Sequence, residues 1–439
     1  MAELTKAGLG PAPKGMYRHW DTFRHAPPLT GHPTELQWLA VKLARMGLYQ
    51  SLPLLDSAGS PFKYALPNVA LEYLHRIDQD AAGAIKGAPQ VTDPATRDTY
   101  LFRSLVEEAI TSSQLEGAST TRKVAKAMIQ EGRSPRDRSE RMILNNYQAM
   151  RFILEVKDKP LTPETVFAVQ RMLTDGALDD EGAAGRFRRD DEQIVVEDET
   201  GTILHTPPPA GQLEERLEAM CAFANGDGDA GAKFVPPPVR AIILHFWLAY
   251  DHPFVDGNGR TARALFYWSM ARQRYWLCGY VSISRILRKA RGSYSRAYLY
   301  SESDDNDATY FLLYQLRVLC RAIGELHEYL QRKAAELAKT AELVRRARAI
   351  KGELNPRQLA LIHHALQHAD AIYTFESHRR SHGVTYETAR TDLLKLTTLK
   401  LVAKSKAGRL TRFRPADDLR ERMEERVKGG RPARAPLRT

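Results

Sequence analysis

One short turn constrains the fold of this chain most, because it separates two apolar helical runs with residues that helices avoid. The turn reads His252-Pro-Phe-Val-Asp-Gly-Asn-Gly-Arg-Thr-Ala-Arg263. Asp-Gly and Asn-Gly are strong turn signals, so they predict a connector between two helices. The second of these helices is expected from Thr261 to Gln273. The sequence therefore predicts a mainly α-helical fold with this turn at a helix N-terminus.

The residue types in this turn suit a bound anion. Gly257 and Gly259 can adopt positive φ, which lets backbone N–H groups converge, and the following helix adds partial positive charge at its N-terminus. A plain connector needs neither His252 at its start nor Arg260 and Arg263 at its end. The combination predicts a phosphate-binding site.

The order of these residues resembles the signature of the Fic family, H-x-F-x-[D/E]-G-N-G-R-x-x-R, and every fixed position of the signature is present. In that family the signature carries Mg²⁺-dependent transfer of a nucleotide monophosphate, usually AMP from ATP, to a protein hydroxyl. The resemblance implies that His252 is the base that accepts the proton of a Tyr, Thr or Ser hydroxyl. It also implies that Asp256 is a ligand of Mg²⁺.

The same resemblance implies the nucleotide contacts. Arg260 and Arg263 would hold the outer phosphates with their planar guanidinium groups, and the Asn258 side chain would donate to the anion. Tyr294 is the candidate for a contact with the base, with a core role as the alternative. The position of His252 at a helix C-terminus predicts a raised pKa unless phosphates or arginines oppose it. The full set of expected ATP-binding residues is Glu116, Gly257, Asn258, Gly259, Arg260, Thr261, Ala262, Arg263 and Tyr294.

A second motif precedes the signature. Ser112-Ser-Gln-Leu-Glu116-Gly117 matches the family's inhibitory pattern [S/T]-x-x-x-E-[G/N], and it closes a predicted helix of about residues 98–117. The resemblance implies that Ser112, Glu116 and Gly117 are inhibitory, with the Glu116 carboxylate occupying the guanidinium of Arg263. In an alternative interpretation, Glu116 aligns a water molecule for removal of AMP.

Residues 185–207 have a different pattern. The run DEQIVVEDETGTILHT contains β-branched residues around a turn and predicts a β-hairpin. The family places such a flap beside its active site, where the edge of the flap pairs with the backbone of a target protein. Ile194, Val195 and Val196 are the expected edge. A solvent-facing hairpin that only caps the core is the alternative.

The end of the chain carries most of its positive charge. Residues 351–439 contain 19 basic and 10 acidic residues, a net charge of +9, whereas the whole chain carries +11. Their predicted order of helix, connector, helix and hairpin resembles a winged helix-turn-helix. Thr385 would cap its recognition helix, and Arg390, Lys395 and Arg409 would face DNA. A protein-binding or dimerisation module is the alternative. His363, His364 and His368 are expected to have structural or surface roles.

The predicted organisation has five parts, and the fold class is mainly α: a Fic helical core with a β-hairpin flap, plus a C-terminal winged helix-turn-helix. Three widely spaced cysteines, an N-terminus without an apolar stretch and the absence of about 18 consecutive apolar residues predict a cytoplasmic protein. The parts are an N-terminal docking segment at 1–89, the Fic domain at 90–330, a helical linker at 331–352, the winged helix at 353–418 and a basic tail at 419–439.

The resemblance implies a protein adenylyltransferase, inhibited by Glu116, that acts on a target protein or on itself. Removal of AMP and a nucleotide-sensing DNA-binding regulator are the alternatives, although intact His252 and Asp256 argue against an inactive core. The expected partners are ATP, a hydroxyl-bearing protein, duplex DNA and a second copy of the chain. The sequence does not distinguish Tyr from Thr or Ser as the acceptor, or ATP from another nucleoside triphosphate.

Overall fold

The computed structural model describes residues 9–82, 94–198, 200–226, 234–348, 354–407 and 410–429. The chain divides into two compact units, Met1–His327 and Glu328–Thr439. In the described residues, helices dominate both units and the strands form three short antiparallel pairs. The predicted mainly helical fold class is confirmed. None of the described helices combines the length and apolar character that crossing a membrane requires.

The first unit begins with helices and a hairpin whose order the sequence analysis did not predict. Helix α1 (Trp20–Phe23) and helix α2 (Thr34–Met46) precede a hairpin of strand β1 (Gln50–Leu55) and strand β2 (Pro61–Tyr64). Helix α3 (Asn68–Ile77) follows and continues into a short π-helical turn. This region corresponds to most of the predicted docking segment.

Buried polar contacts tie this N-terminal region to the end of the first unit. The hydroxyls of Tyr17 and Tyr49 donate to Asp307 at 2.5 and 2.9 Å. The fully buried Arg45 donates to the Tyr310 hydroxyl at 2.6 Å. Because breaking any of these bonds would leave a buried polar group unsatisfied, the region is an integral layer of the first unit.

Helical elements also build the rest of the first unit. They surround two helices, α9 and α10, that are buried on nearly all sides, as expected for helices at the centre of a large core. In chain order the elements are α4 (Pro94–Leu115), α5 (Arg122–Glu131), α6 (Arg138–Glu155), α7 (Pro163–Thr174), β3 (Val196–Glu197), β4 (Ile203–His205), α8 (Leu213–Asn225), α9 (Pro237–Asp251), α10 (Asn258–Arg272), α11 (Ser284–Lys289), α12 (Arg291–Ser303) and α13 (Thr309–Arg348).

The turn identified in the sequence connects α9 and α10, which pack against each other. The two helices pack along each other, and residues 252–257 connect them. Helix α10 also packs against α6 and α7, so that its N-terminus is enclosed. It begins at Asn258, three residues before the expected start, because Gly257 takes the N-cap position with φ of 88°.

The predicted flap is a hairpin, but a shorter one than expected. Val196 pairs with His205 and Glu197 with Ile203, with an irregularity between them. Ile194 and Val195 precede the strand, and the Ile194 N–H donates to the carbonyl of Glu192. The expected edge therefore contains one strand residue, Val196, and two residues of irregular backbone.

The second unit contains helices α14 (Pro356–Gln367), α15 (Phe375–His382) and α16 (Tyr386–Thr398), followed by the hairpin β5 (Val402–Ala407) and β6 (Leu410–Pro415). Tyr373 and Phe413 exchange backbone hydrogen bonds, which add a third short strand position to the hairpin. This is the order of elements that a winged helix-turn-helix requires, and that assignment stays a prediction.

Two of the expected boundaries differ in the second unit. The segment expected as a linker is the end of α13, and its Leu343 and Ala347 are buried in the apolar cluster of the second unit. The segment expected as a tail begins with helix α17 (Leu419–Gly429), whose Leu419 and Met423 join the same cluster. In both segments, apolar residues four positions apart form one apolar face of a helix. Burial of this face stabilises the folded second unit. Residues 430–439 lie outside the described part of the chain.

Candidate active site

The C-terminus of α9 holds His252 in a fixed position. His252 adopts the left-handed conformation with φ of 44°, and its N–H donates to the Leu248 carbonyl. The buried Arg188 donates from Nε to the His252 carbonyl at 2.9 Å and from Nη2 to the carbonyl of Pro208. A cation at a helix C-terminus satisfies carbonyls that have no partner within the helix. Arg188 therefore positions the backbone that carries the imidazole.

The protonation of His252 differs from the expectation based on the helix dipole. Burial is the main cause that lowers the pKa of His252 to about 4; His205 and Arg188 act in the same direction, whereas the hydrogen bond to the Ala249 carbonyl and the Glu116 carboxylate act against it. Nδ1 lies 3.4 Å from the carbonyl oxygen of Ala249, which favours the tautomer with its proton on Nδ1. The imidazole is therefore neutral at pH 7, with Nε2 free to accept a proton.

The N-terminus of α10 presents backbone donors. The first intrahelical bond runs from the Thr261 N–H to the Gly257 carbonyl, so the N–H groups of residues 258–260 have no partner within the helix. A Cβ on Gly257 would lie 3.0 Å from the Thr174 methyl group, and its φ of 88° also disfavours other residues. The glycine therefore allows the donors to lie open at a site where an anion binds favourably.

Asn258 has a different role from the one expected. Its side chain is buried, accepts from the Phe254 N–H at 3.0 Å and donates to the Phe254 carbonyl at 2.8 Å. Both of its polar atoms are thus used inside the loop, because the loop must close within four residues. Asn258 fixes the shape of the turn and donates no hydrogen bond to a ligand in this conformation.

Arg260 also differs from the expectation. Its guanidinium is buried, with Nη1 donating to the Leu173 carbonyl at 3.0 Å and Nη2 to both oxygens of Asp256 at 3.1 Å. Because these partners lie within the protein, Arg260 orients Asp256 and joins the turn to α7. The carboxylate of Asp256 remains 38 % exposed at the mouth of the turn.

Arg263 brings the two sequence motifs together. Its side chain is 2 % exposed, and Nη2 donates to the Glu116 carboxylate at 2.6 Å. Nε donates to the Ser112 hydroxyl at 2.8 Å, and Nη2 also reaches the Ser112 carbonyl at 3.2 Å. Gly117 follows with φ of 94°, which ends α4 and turns the chain away. The spatial meeting of Glu116 with Arg263 is as expected from the sequence.

The Glu116 carboxylate also lies over the first turn of α10. A Cβ on Gly259 would overlap the Glu116 carboxylate and come within 3.1 Å of the Arg263 guanidinium. Glycine is therefore required here for close approach of an anionic group to the helix backbone. The Glu116 carboxylate therefore lies between the backbone N–H groups at the N-terminus of α10 and the buried Arg263.

Tyr294 lies close to Arg263, but its hydroxyl is already engaged. The Tyr294 oxygen lies 2.8 Å from Nε2 of His245 and 3.1 Å from the Tyr298 hydroxyl. Its ring packs near Phe311 and His245. These contacts fit the core role that was the alternative for this residue, and a contact with a base stays a prediction.

Two site residues escaped the sequence reasoning. His205, on β4, lies 2.8 Å from the Glu302 carboxylate and 2.7 Å from the Tyr250 carbonyl, and so anchors the hairpin beside α9. Arg188, described above, caps the same helix. The sequence offered two signals for these residues. His205 is a polar residue in an apolar strand, and Arg188 lies between Gly185 and the hairpin. Their partners are 20 to 97 positions away, and local patterns carry no information on such distant pairs.

The expected DNA-contacting residues belong to the second unit. Thr385 caps α16 as predicted, accepting from the Thr388 N–H at 3.3 Å. Arg390 is exposed and pairs with Glu387 at 3.2 Å, and Lys395 is also exposed. Five residues of helix place Arg390 and Lys395 about 140° apart around α16, so they face different directions. Arg409 lies outside the described residues.

Comparisons with known proteins identify relatives of the region that contains this site. Residues 160–270 match the model of the Fic/DOC family. The chain is 28 % identical over 221 residues to protein adenylyltransferase Fic of Nematostella vectensis, covering 48 % of each chain. It is 28 % identical over 183 residues to protein adenylyltransferase fic-1 of Caenorhabditis elegans, covering 41 % of this chain and 33 % of that relative. The chain thus spans about half or less of these curated relatives.

A solved structure shows the same fold. The crystal structure of a Fic family protein from Desulfovibrio desulfuricans G20 superposes with a TM-score of 0.51 at 18 % identity, covering 79 % of this chain and 95 % of that chain. With the family match over the turn and the complete signature, this identifies a Fic domain in the chain. The resemblance stated from the sequence is confirmed for the part of the chain that the family model matches, residues 160–270.

Proposed function

We propose that this protein transfers AMP from ATP to a hydroxyl group of a protein, with the turn at residues 252–263 as the active site. The observation that carries the proposal is the Glu116 carboxylate on Arg263, at the N-terminus of α10. A helix N-terminus beside a buried arginine is an anion site, and polyphosphate is the anion that the neighbouring base and carboxylate can use. The relatives named adenylyltransferase support the same reaction.

His252 is the base in this proposal. A target hydroxyl donates its proton to Nε2 as its oxygen attacks the α-phosphorus of ATP, while the bond between the α-phosphorus and the oxygen leading to the β-phosphate breaks. AMP is then joined to the target oxygen, and pyrophosphate leaves. The neutral imidazole and its open Nε2 suit this step, because a base must be unprotonated before attack. Arg188 keeps the ring in place by holding the His252 carbonyl.

The donor set at the mouth of the turn fits Mg²⁺. Asp256 offers a partly exposed carboxylate, and Mg²⁺ is commonly held by one or two carboxylates together with phosphate oxygens. When bound, the ion would neutralise phosphate charge. In the protein itself, Arg260 orients the Asp256 carboxylate from its buried side.

Glu116 regulates the site in this proposal. While its carboxylate holds Arg263, that guanidinium cannot orient the γ-phosphate, so ATP would bind in an unproductive pose. Ser112 would keep Arg263 in place whether or not Glu116 is bound, since its contacts are to Nε and to Nη2 of the same side chain. The flap residues Ile194, Val195 and Val196 would align the backbone of the target.

Incubation of the purified chain with labelled ATP and Mg²⁺, followed by intact-mass measurement, tests the reaction. A mass increase by one AMP in Glu116→Gly that is absent in Glu116→Gly with His252→Ala supports the proposal. Parallel reactions with the other nucleoside triphosphates test the choice of nucleotide. If Glu116→Gly instead loses the ability to remove AMP from a modified substrate, the reaction runs in the opposite direction.

Exposed basic residues of the second unit support an additional role in binding duplex DNA. Its described surface exposes Arg390 and Lys395 on the helix after the Gly383 turn, and residues 351–439 carry a net charge of +9. Neutralisation of phosphates by such residues would give an affinity that falls steeply with salt. Selection from a random duplex pool with the full chain tests this role, and a failure to enrich any sequence would favour a protein-docking module.

A further inference from the structure

A cavity in the first unit is lined by none of the residues of the candidate active site described above. It has a volume of about 460 Å³ and is bounded by residues 15–18 of the N-terminal region and by helices α3, α12 and α13. This volume is within the range of about 300–1,000 Å³ that small-ligand sites occupy. The cavity is therefore large enough for a small organic ligand.

The cavity and the flap lie on opposite faces of α12. Glu302 pairs with His205 of the flap on one face, whereas Ser293 and Tyr300 line the cavity on the other. Nine residues of α-helix separate Ser293 from Glu302 by about 180° around the axis. A molecule in the cavity would thus occupy a site separate from the His252 turn.

Three guanidinium groups line the cavity without a carboxylate partner. These are Arg18, Arg296 and Arg317, and none of them forms an ion pair within 4.0 Å in the described part of the chain. Arg296 donates only to the Ser293 hydroxyl at 3.2 Å, and Arg18 only contacts the Met16 sulfur at 3.3 Å. No Asp or Glu is among the described residues that line the cavity. Its wall is accordingly cationic and suits an anionic group, above all phosphate.

A buried hydroxyl in the same wall lacks a partner. The Tyr314 oxygen is inaccessible to solvent and makes no hydrogen bond with the described residues. Burial raises the pKa of Tyr314 to about 12, although Arg317 and Arg296 are near enough to oppose that rise. A buried hydroxyl is nearly always hydrogen-bonded in a folded protein, so this one needs an acceptor, and an acceptor in the cavity reaches it only after a shift of the neighbouring side chains.

The remaining wall is aromatic. Tyrosine rings are flat surfaces on which a planar ring can stack. The hydroxyls of Tyr17 and Tyr310 are held by Asp307 and Asp304, so these two rings are fixed, which lowers the entropy cost of binding. The tyrosines that line the cavity are Tyr17, Tyr73, Tyr300, Tyr310 and Tyr314.

We propose that this cavity binds a nucleoside monophosphate, with its phosphate on Arg296, Arg317 and the Tyr314 hydroxyl and its base against the tyrosine rings. The site is independent of the reaction proposed for the His252 turn. A nucleoside monophosphate has an anionic group for the arginines and a planar ring for the tyrosines, and it fits the volume of the cavity.

Isothermal titration calorimetry of the full chain with AMP tests this site. AMP lacks the pyrophosphate leaving group, so it binds without reacting. The variant Arg296→Gln with Arg317→Gln is expected to weaken AMP binding at this site by roughly 10-fold or more, since charge-assisted hydrogen bonds are lost. The control variant Arg76→Gln with Arg321→Gln removes the same charge from two exposed arginines outside the cavity and should leave the affinity unchanged. Tyr314→Phe, which deletes only the hydroxyl, is expected to weaken binding by a smaller factor.

Further titrations distinguish binding in this cavity from binding at the candidate active site and from binding of any anion. Arg263→Ala should leave the AMP binding that depends on Arg296 and Arg317 intact, even if the proposed transfer activity is lost or never existed. Adenosine and inorganic phosphate should each bind more weakly than AMP by roughly 10-fold or more, because each lacks one half of the contacts. AMP binding that is unaffected by the Arg296 and Arg317 variant overturns the proposal. So does an equal loss in both double variants, or phosphate binding as tightly as AMP.

Discussion

Replacement of Glu116 by glycine is the sharpest test of the active site. In this structure its carboxylate accepts from Arg263 at 2.6 Å, and Arg263 is 2 % exposed whereas Glu116 is 32 % exposed. A hydrogen bond to a charged group contributes about 1.5–3 kcal/mol, and the exposure of Glu116 reduces this through solvent screening to about 1–2 kcal/mol. Loss of that contact should leave the guanidinium of Arg263, still held by Ser112, available to the γ-phosphate and raise the rate of AMP transfer by roughly 5- to 30-fold.

The assay is the initial rate of AMP incorporation at saturating Mg²⁺, followed by intact mass. Glu116→Gln should give a smaller increase, because an amide oxygen can still accept from Arg263. Glu107→Gln is the matched control: Glu107 lies on the same helix and pairs with Arg122 at 2.7 Å, far from the turn. It should leave the rate unchanged.

The reasoning would be refuted by a Glu116→Gly rate no greater than that of the unaltered chain. A rise of the same size in Glu107→Gln would also refute it, since the effect would then come from loosening of α4. Thermal unfolding of each variant separates these outcomes. Glu116→Gly leaves Arg263 with its two Ser112 contacts, so only a modest loss of stability is expected.

Three further predictions concern the base, its pKa and the second unit. His252→Ala should lower the transfer rate by roughly 10²- to 10⁴-fold, yet calorimetry should show a smaller loss of ATP affinity than in Arg263→Ala; equal losses would contradict the assigned roles. Because burial lowers the pKa of His252 from 6.5 to about 4, kcat/KM in the Glu116→Gly background should stay level from about pH 8 to 5, and a fall centred near 6.5 would contradict it. By the same linkage the unfolded chain binds this proton more readily, so the free energy of unfolding in urea should fall as the pH drops from 6.5 to about 4, and less steeply in His252→Ala. Arg390→Ala should lower discrimination between a selected duplex and random DNA in gel shifts, whereas deletion after Lys428 should weaken binding to both about equally.

The sequence predicted the helical character of the chain because periodicity and turn chemistry are local. Asp-Gly and Asn-Gly marked the connector, and the residue types around it indicated an anion site before any contact was known. Thr385 was identified as a helix cap for the same reason, since a cap and its acceptor lie within three residues. The approach of Glu116 to Arg263 was expected only through resemblance, because 147 positions separate the two residues.

For two residues of the turn the structure shows contacts that the sequence did not predict, one within the loop and one with a neighbour distant along the chain. Asn258 and Arg260 have side chains suited to an anion, but the buried loop and the Leu173 carbonyl take up their polar atoms. The ends of the second unit were expected as a helical linker and a basic tail, and in the structure helices at both ends contribute to its core. There the apolar faces that include Leu343 and Met423 find a common core only after the chain has folded.

The sequence by itself determined the helices, the turn at residues 252–257 and the residue types of a Fic signature, because propensity, capping and turn geometry act over a few residues. The tertiary structure alone decided which of those groups are held by partners within the protein. Packing of α9 against α10 buried His252 and lowered its pKa, and Arg188 reached its carbonyl from 64 positions away. Desolvation and hydrogen-bond satisfaction depend on what surrounds a group in three dimensions, and a linear pattern does not contain that information.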